Sequence, residues 1–208
     1  FISSVADILA LEVDDQRAEP QPLRLTISIW RPPEVVTGNH SARYAFHREG
    51  ESVQLVQRFD EGDYHCASAV AAQVVGRTTQ VEEPTDRARI LVSPAKKGKR
   101  LILVSSAATW PRAEDVGHVA TGLLRDHASR SYEALRQEHA RWWAGFWSRT
   151  FVYLTSEDGI AEFMERVRNL HLYVMASTSR GPLPPKWNGS LFTTDGDARG
   201  WGAQFWVW

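Results

Sequence analysis

Leu23-Arg24-Leu25-Thr26-Ile27-Ser28-Ile29-Trp30 alternates without a break. In an extended chain Leu23, Leu25, Ile27 and Ile29 fall on one face, and Arg24, Thr26, Ser28 and Trp30 on the other. A period of two with one apolar face is the mark of a half-buried strand. The same pattern recurs on either side. Val5, Leu9, Leu11 and Val13 predict an earlier strand that ends at Asp14-Asp15. Tyr44-Ala45-Phe46 and Val53-Gln54-Leu55-Val56 flank Glu49-Gly50-Glu51, a hairpin signal. Further strands are expected over 65–75, 88–92 and 100–105. Leu101-Ile102-Leu103-Val104 is apolar throughout, as in a strand covered on both faces. Lys96-Lys97-Gly98-Lys99-Arg100, just after Pro94, reads as a hairpin tip rather than a membrane-binding run. Short strands, frequent turns and no intervening helix predict an antiparallel β-sandwich.

The period changes after Trp110-Pro111. Val116, Val119, Ala120, Leu123 and Leu124 recur at helical spacing. So do Leu135, His139, Trp142, Trp143, Phe146 and Trp147, with Ser131 as the expected N-cap and Glu133 in the first turn. A third helix is predicted with Ser156 as its cap and Glu157-Asp158 in its first turn. Ile160, Phe163, Met164, Val167, Leu170, His171 and Val174 form its apolar stripe. Ser179-Arg180-Gly181-Pro182 ends it. The remainder, 181–208, has no period, and a long structureless segment is more often functional than not. The predicted organisation is multi-domain, β then α: a sandwich over 1–110, helical linkers over 111–150, and a further helical domain opening at 151–208.

Composition bounds the chemistry. The 208 residues carry a formal net charge of −1, with 43% hydrophobic and 24% charged residues. That is ordinary globular material, and the balance gives no electrostatic footprint for nucleic acid. No stretch is long and apolar enough to predict membrane insertion. The single cysteine, Cys66, excludes an internal disulfide and reads as a small core residue. The chain starts at Phe1 within a strand-like stretch and ends in Phe205-Trp206-Val207-Trp208, so it is expected to be a piece of a longer protein.

Aromatic placement is the most informative chemical signal. Trp142, Trp143 and Trp147 share a helix and read as packing residues. Trp187, Trp201, Trp206 and Trp208 crowd the aperiodic segment together with Asn188 and Gln204. Flat rings beside amides and carboxylates suit a polar ligand that has apolar faces, as a sugar does. Asp195 and Asp197 lie two apart, so in an extended segment they point the same way and cannot flank one anomeric centre. As the start of a calcium loop the same stretch fails, because Arg199 and Trp206 occupy ligand positions. The histidines have no HExxH spacing, and His139 and His171 read as core or interface residues. GxSxG, GxGxxG and P-loop patterns are absent, so neither a metal nor a cofactor is expected.

Leu172-Tyr173-Val174-Met175-Ala176-Ser177-Thr178-Ser179-Arg180-Gly181-Pro182-Leu183-Pro184-Pro185 resembles the stretch of glycoside hydrolase family 95 enzymes in which a helix ends in a Ser-Arg turn and runs into a Leu-Pro motif. Trp187-Asn188-Gly189 and Trp201-Gly202-Ala203-Gln204-Phe205-Trp206 are similar to the segments that follow. The likeness covers about the last third of the chain and extends to related bacterial families. It implies a β-sandwich, linker helices and an (α/α)6 barrel, and hydrolysis of glycosidic bonds in oligo- or polysaccharides with inversion. It also implies a periplasmic or secreted location. Carried over residue by residue, it makes Trp187, Asn188, Trp201, Gln204 and Trp206 substrate contacts, with Arg180 and Lys186 beside them. It puts the catalytic acid and the water-assisting asparagines beyond Trp208, so no catalytic residue is named and the chain alone is expected to be inactive. The His-x-Asn-x-Asn pattern of the fucosidases does not occur, and the sugar is left open. A non-catalytic carbohydrate-binding protein, or a related lyase or phosphorylase, stands as the alternative.

Overall fold

The computed structural model describes residues 1–112 and 114–181. Among them are two antiparallel sheets followed by three helices, the β-then-α order that the change of period predicts. The stretch that opens the sequence argument becomes β2 (Leu23–Ser28), which pairs with β8 (Ala88–Ser93), itself paired to β7 (Gln80–Thr85). The larger sheet runs in the order β1 (Ile8–Asp15), β9 (Gly98–Thr109), β6 (Tyr64–Val74), β5 (Ser52–Glu61), β4 (His40–Glu49), β3 (Glu34–Thr37).

The two sheets pack face to face. Ile27, Ile29 and Leu91 of the small sheet and its margin meet Tyr44, Val53, Leu55 and Ala72 of the large one. The polar side of the quoted stretch, Trp30 included, faces solvent as its alternation requires. The opposite face of the large sheet is also covered. Ile8, Ala10, Val56, Leu103 and the alanines 67, 69 and 71 pack with Val116, Ala120 and Leu124 of α1 (Val116–Ala128) and with Leu135. This explains the uninterrupted apolar run of β9: Leu103 belongs to the helix-side core, and Val104 packs against the sheet-side core. Ser105 adds a polar tie, its hydroxyl donating to the Ala120 carbonyl at 2.7 Å.

Several expectations need correction. Lys96 and Lys97 do not form a hairpin tip. β8 lies in the small sheet and β9 in the large one, so this segment crosses between sheets. β3 and β7 are strands that the pattern does not announce. Both are short edge strands, β3 with the single charge of Glu34 and β7 with those of Glu82 and Glu83, and β7 carries Pro84 where its register shifts between Glu82 and Thr85.

The chain divides into two compact units, Phe1–Trp143 and Ala144–Trp208, with the division inside α2 (Tyr132–Thr150). Asp115 caps α1, accepting from the N–H groups of Gly117 and His118 at 3.1 and 3.2 Å. Ser131 caps α2 as expected, accepting from Ala134 N at 3.2 Å. In the second unit α3 (Ile160–Thr178) starts later than predicted. Gly159 stands at the cap in the left-handed conformation, φ 73°. Ser156 and Asp158 lie before the helix, yet each still accepts an N–H of its first turn, from Ala161 at 3.0 Å and Ile160 at 3.1 Å. No residue of α3 is buried. Ile160, Phe163, Met164, Val167 and Leu170 of its stripe are exposed, and so is His171, which is therefore not a core residue.

Candidate functional site

Arg180 is the one expected sugar contact within the described residues, and it sits exposed just after α3. Lys186, Trp187, Asn188, Trp201, Gln204 and Trp206 lie outside them. The described residues hold a different cleft, of about 190 Å³, at one end of the large sheet.

Four strand ends build this cleft. β5 and β6 form a hairpin closed by Gly62, φ 56°, and Asp63. Its register sets Glu61 opposite Tyr64, Asp60 opposite His65 and Phe59 opposite Cys66. His40, the first residue of β4, pairs with Glu61. Trp110 follows Thr109, the last residue of β9, which pairs with Ala67 of β6. The residues at the ends of these four strands line the cleft, with Tyr64 82% exposed and Trp110 60% exposed.

A polar cluster lies at the same strand ends, on the face of the hairpin opposite Tyr64. His65 Nδ1 is 2.9 Å from Asp60 Oδ1, with the imidazole nearly buried. Arg112 donates to the same oxygen. The His65 hydrogen bond, and then that of Arg112, hold the Asp60 carboxyl below its ordinary range. His40 and Glu61 form a second pair at 3.5 Å. Phe59 carries the Arg31 guanidinium 4.7 Å over its ring.

Cys66 also lines the cleft and is exposed, which corrects its reading as a core residue. Desolvation and the neighbouring Asp60 charge push the thiol up, away from the reactive thiolate. Consecutive strand residues point to opposite faces, so His65 and Cys66 do not form a nucleophile–base pair. Asp60, stabilised as a carboxylate, is unsuited to act as a general acid near neutral pH.

Sequence reasoning missed the cleft because its members come from four separated positions. The one local sign was Tyr64, a large ring directly after the polar turn Glu61-Gly62-Asp63. Among the described residues no group of three or more His, Cys, Asp or Glu side chains is placed to hold a metal ion. No described helix is long and apolar enough to cross a membrane. Compared with known proteins, the sequence matches no family model and no curated protein.

Proposed function

We propose that the chain is part of a glycoside hydrolase that cleaves glycosidic bonds of oligo- or polysaccharides with inversion. The observation that carries this reading is the end of α3. The helix stops at Thr178, the N–H of Ser179 donates to the Met175 carbonyl at 2.9 Å, and Arg180 follows exposed. A helix that ends at a Ser-Arg turn, after a two-sheet β region, supports the reading. The exposed apolar stripe of α3 suits a helix of an (α/α)6 barrel, where neighbouring helices would bury it.

In this reading Trp187, Trp201 and Trp206 stack on sugar faces. Asn188, Gln204, Arg180 and Lys186 bind hydroxyls. An inverting enzyme needs one carboxylic acid to protonate the leaving oxygen and a second group to activate water on the opposite face, about 6.5–9.5 Å away. The test is turnover by the protein made from its complete gene, on aryl glycosides and short oligosaccharides, with the anomer of the first product followed by proton NMR. Release of the inverted anomer supports the reading. A retained anomer, or no hydrolysis of any substrate, overturns it.

A further inference from the structure

We propose that the free edge of β2 accepts a further β-strand, supplied by residues that precede Phe1 in the longer protein, and that this strand covers the open half of the large sheet's sandwich-side face. Residues paired across strands share a face, so burial can be followed along each row of the sheet. Ser106 of β9 pairs with Val70 of β6, and Val70 with Leu55 of β5. Ser106 is exposed, Val70 half-buried and Leu55 buried. In the next row Ala108 is exposed, Ser68 and Gln57 are half-buried, and Tyr44 of β4 is buried. Cys66, Phe59 and Ala42 repeat the same gradient. Cover is lost from β4 toward β9 in all three rows. On β1, Leu9 pairs with Val104 and both are only half-buried, while Leu11 is exposed.

The placement of the small sheet explains the gradient. Arg48 of β4 donates to the Thr79 carbonyl, just before β7, at 3.3 Å, and the Arg89 guanidinium of β8 lies 4.7 Å over the Phe46 ring of β4. β7 and β8 therefore sit on the β4 side, and the free edge of β2 borders the open half. Solvated sheet faces are polar, yet Leu9, Val70, Val104, Ser106 and Ala108 bring no charge to this one. β2 also lacks what guards an edge. β7 has Pro84 and a register shift, whereas β2 runs from Leu23 to Ser28 without proline or shift, and its one charge, Arg24, is held by Glu82. The floor is lined with small residues, so the incoming strand should carry bulky apolar side chains at alternate positions. An edge strand of a second copy is a poor occupant, because its apolar side chains are committed to its own sandwich. Residues leading into Phe1 arrive in the right place. Phe1 and Ala10 exchange backbone hydrogen bonds at 3.0 and 2.9 Å, and Ile2, paired with Leu9 on the open face, is 69% exposed.

The test uses the protein made from its complete gene and involves no glycoside, so its outcome is independent of the hydrolase reading. Maleimide should label Cys66, which lies on the open face, roughly a hundredfold more slowly in the native protein than in urea. Hydrogen exchange reads the edge itself. With β8 as its only partner, β2 leaves alternate N–H groups unbonded, so uniform protection along Leu23–Ser28 means that a second neighbour is present. Photo-leucine, close to leucine in size, identifies that neighbour: cross-links from Leu11 should lead to a peptide before Phe1 of the same chain. Three results overturn the proposal: native Cys66 labels as fast as the unfolded thiol, alternate amides of β2 exchange freely, or Leu11 cross-links only to a later segment or to another copy.

Discussion

Asp15 shows how much a single side chain can be asked to hold. Its carboxylate accepts from Arg17 Nε at 2.8 Å and Nη2 at 2.6 Å, and from the Gln21 N–H at 3.2 Å. Arg100 lies 3.5 Å away, and the side chains of both Asp15 and Arg100 are only 2% exposed. The Arg17 hydrogen bond, above all, holds the Asp15 carboxyl well below the usual carboxylate range. Because the folded value is depressed, the stabilisation is complete above the ordinary carboxylate pKa and is lost as pH falls through the lower folded value. Asp15→Asn should therefore lower the melting temperature at neutral pH by more than breaking the exposed Arg24–Glu82 pair, since it strands the Arg100 charge in the interior. The difference between variant and parent should shrink in acid. Thermal melts at pH 7 and pH 3 check both, and an equal loss at the two values would remove Asp15 ionisation as the cause.

At the scale of elements, α1 lies close against the large sheet. Alanines 67, 69 and 71 of β6 let the helix come close, and Gly117 lets it come closer still. A Cβ there would collide with Gln54 Oε1 and press on Val56 Cγ2. Gln54 has little room to yield, because its amide donates to Thr121 Oγ1 at 2.6 Å and to Glu49 at 2.9 Å. Gly117→Ala should thus destabilise by about 1–3 kcal/mol despite the better helix propensity of alanine. Urea denaturation with an unchanged slope would show it, and a stabilised variant would mean that the helix shifts freely on the sheet. This scale also shows what local sequence can reveal. Half-buried strands such as β2 were legible because each carries its own period. β3 and β7 were not, since short edge strands owe their existence to a partner. Nor was the crossing at Lys96-Lys97 legible, because the sheet that a strand joins is decided by packing at a distance.

Across the whole molecule, burial is unevenly shared. Within Phe1–Trp143 the large sheet carries a packed core on each face, whereas in Ala144–Trp208 α3 buries none of its residues. Hydrogen exchange should follow that division: amides of β6 and β9 should be protected close to the global limit, and those of α3 should exchange far sooner. Mass spectrometry of timed exchange tests this, and equal protection in α3 and β9 would contradict it. The β-to-α order was readable at this scale because the change of period at Trp110 is sharp. The cleft was not, because Tyr64, His65, His40 and Trp110 become neighbours only once four strand ends align.

The strand order has a consequence for synthesis. β9 sits between β1 and β6, with Ile8 paired to Ser105 and Val74 to Ile102. β1 must therefore wait for β9, made about 80 residues after it, and until residue 109 has emerged β6 lacks one of its two neighbours. A nascent chain stalled before Gly98 should recruit chaperones, and one stalled well after Thr109 should release them. The interior strand that joins β1 to β6 is thus the last of the sheet to be made, and its arrival leaves only β1 and β3 with an open edge.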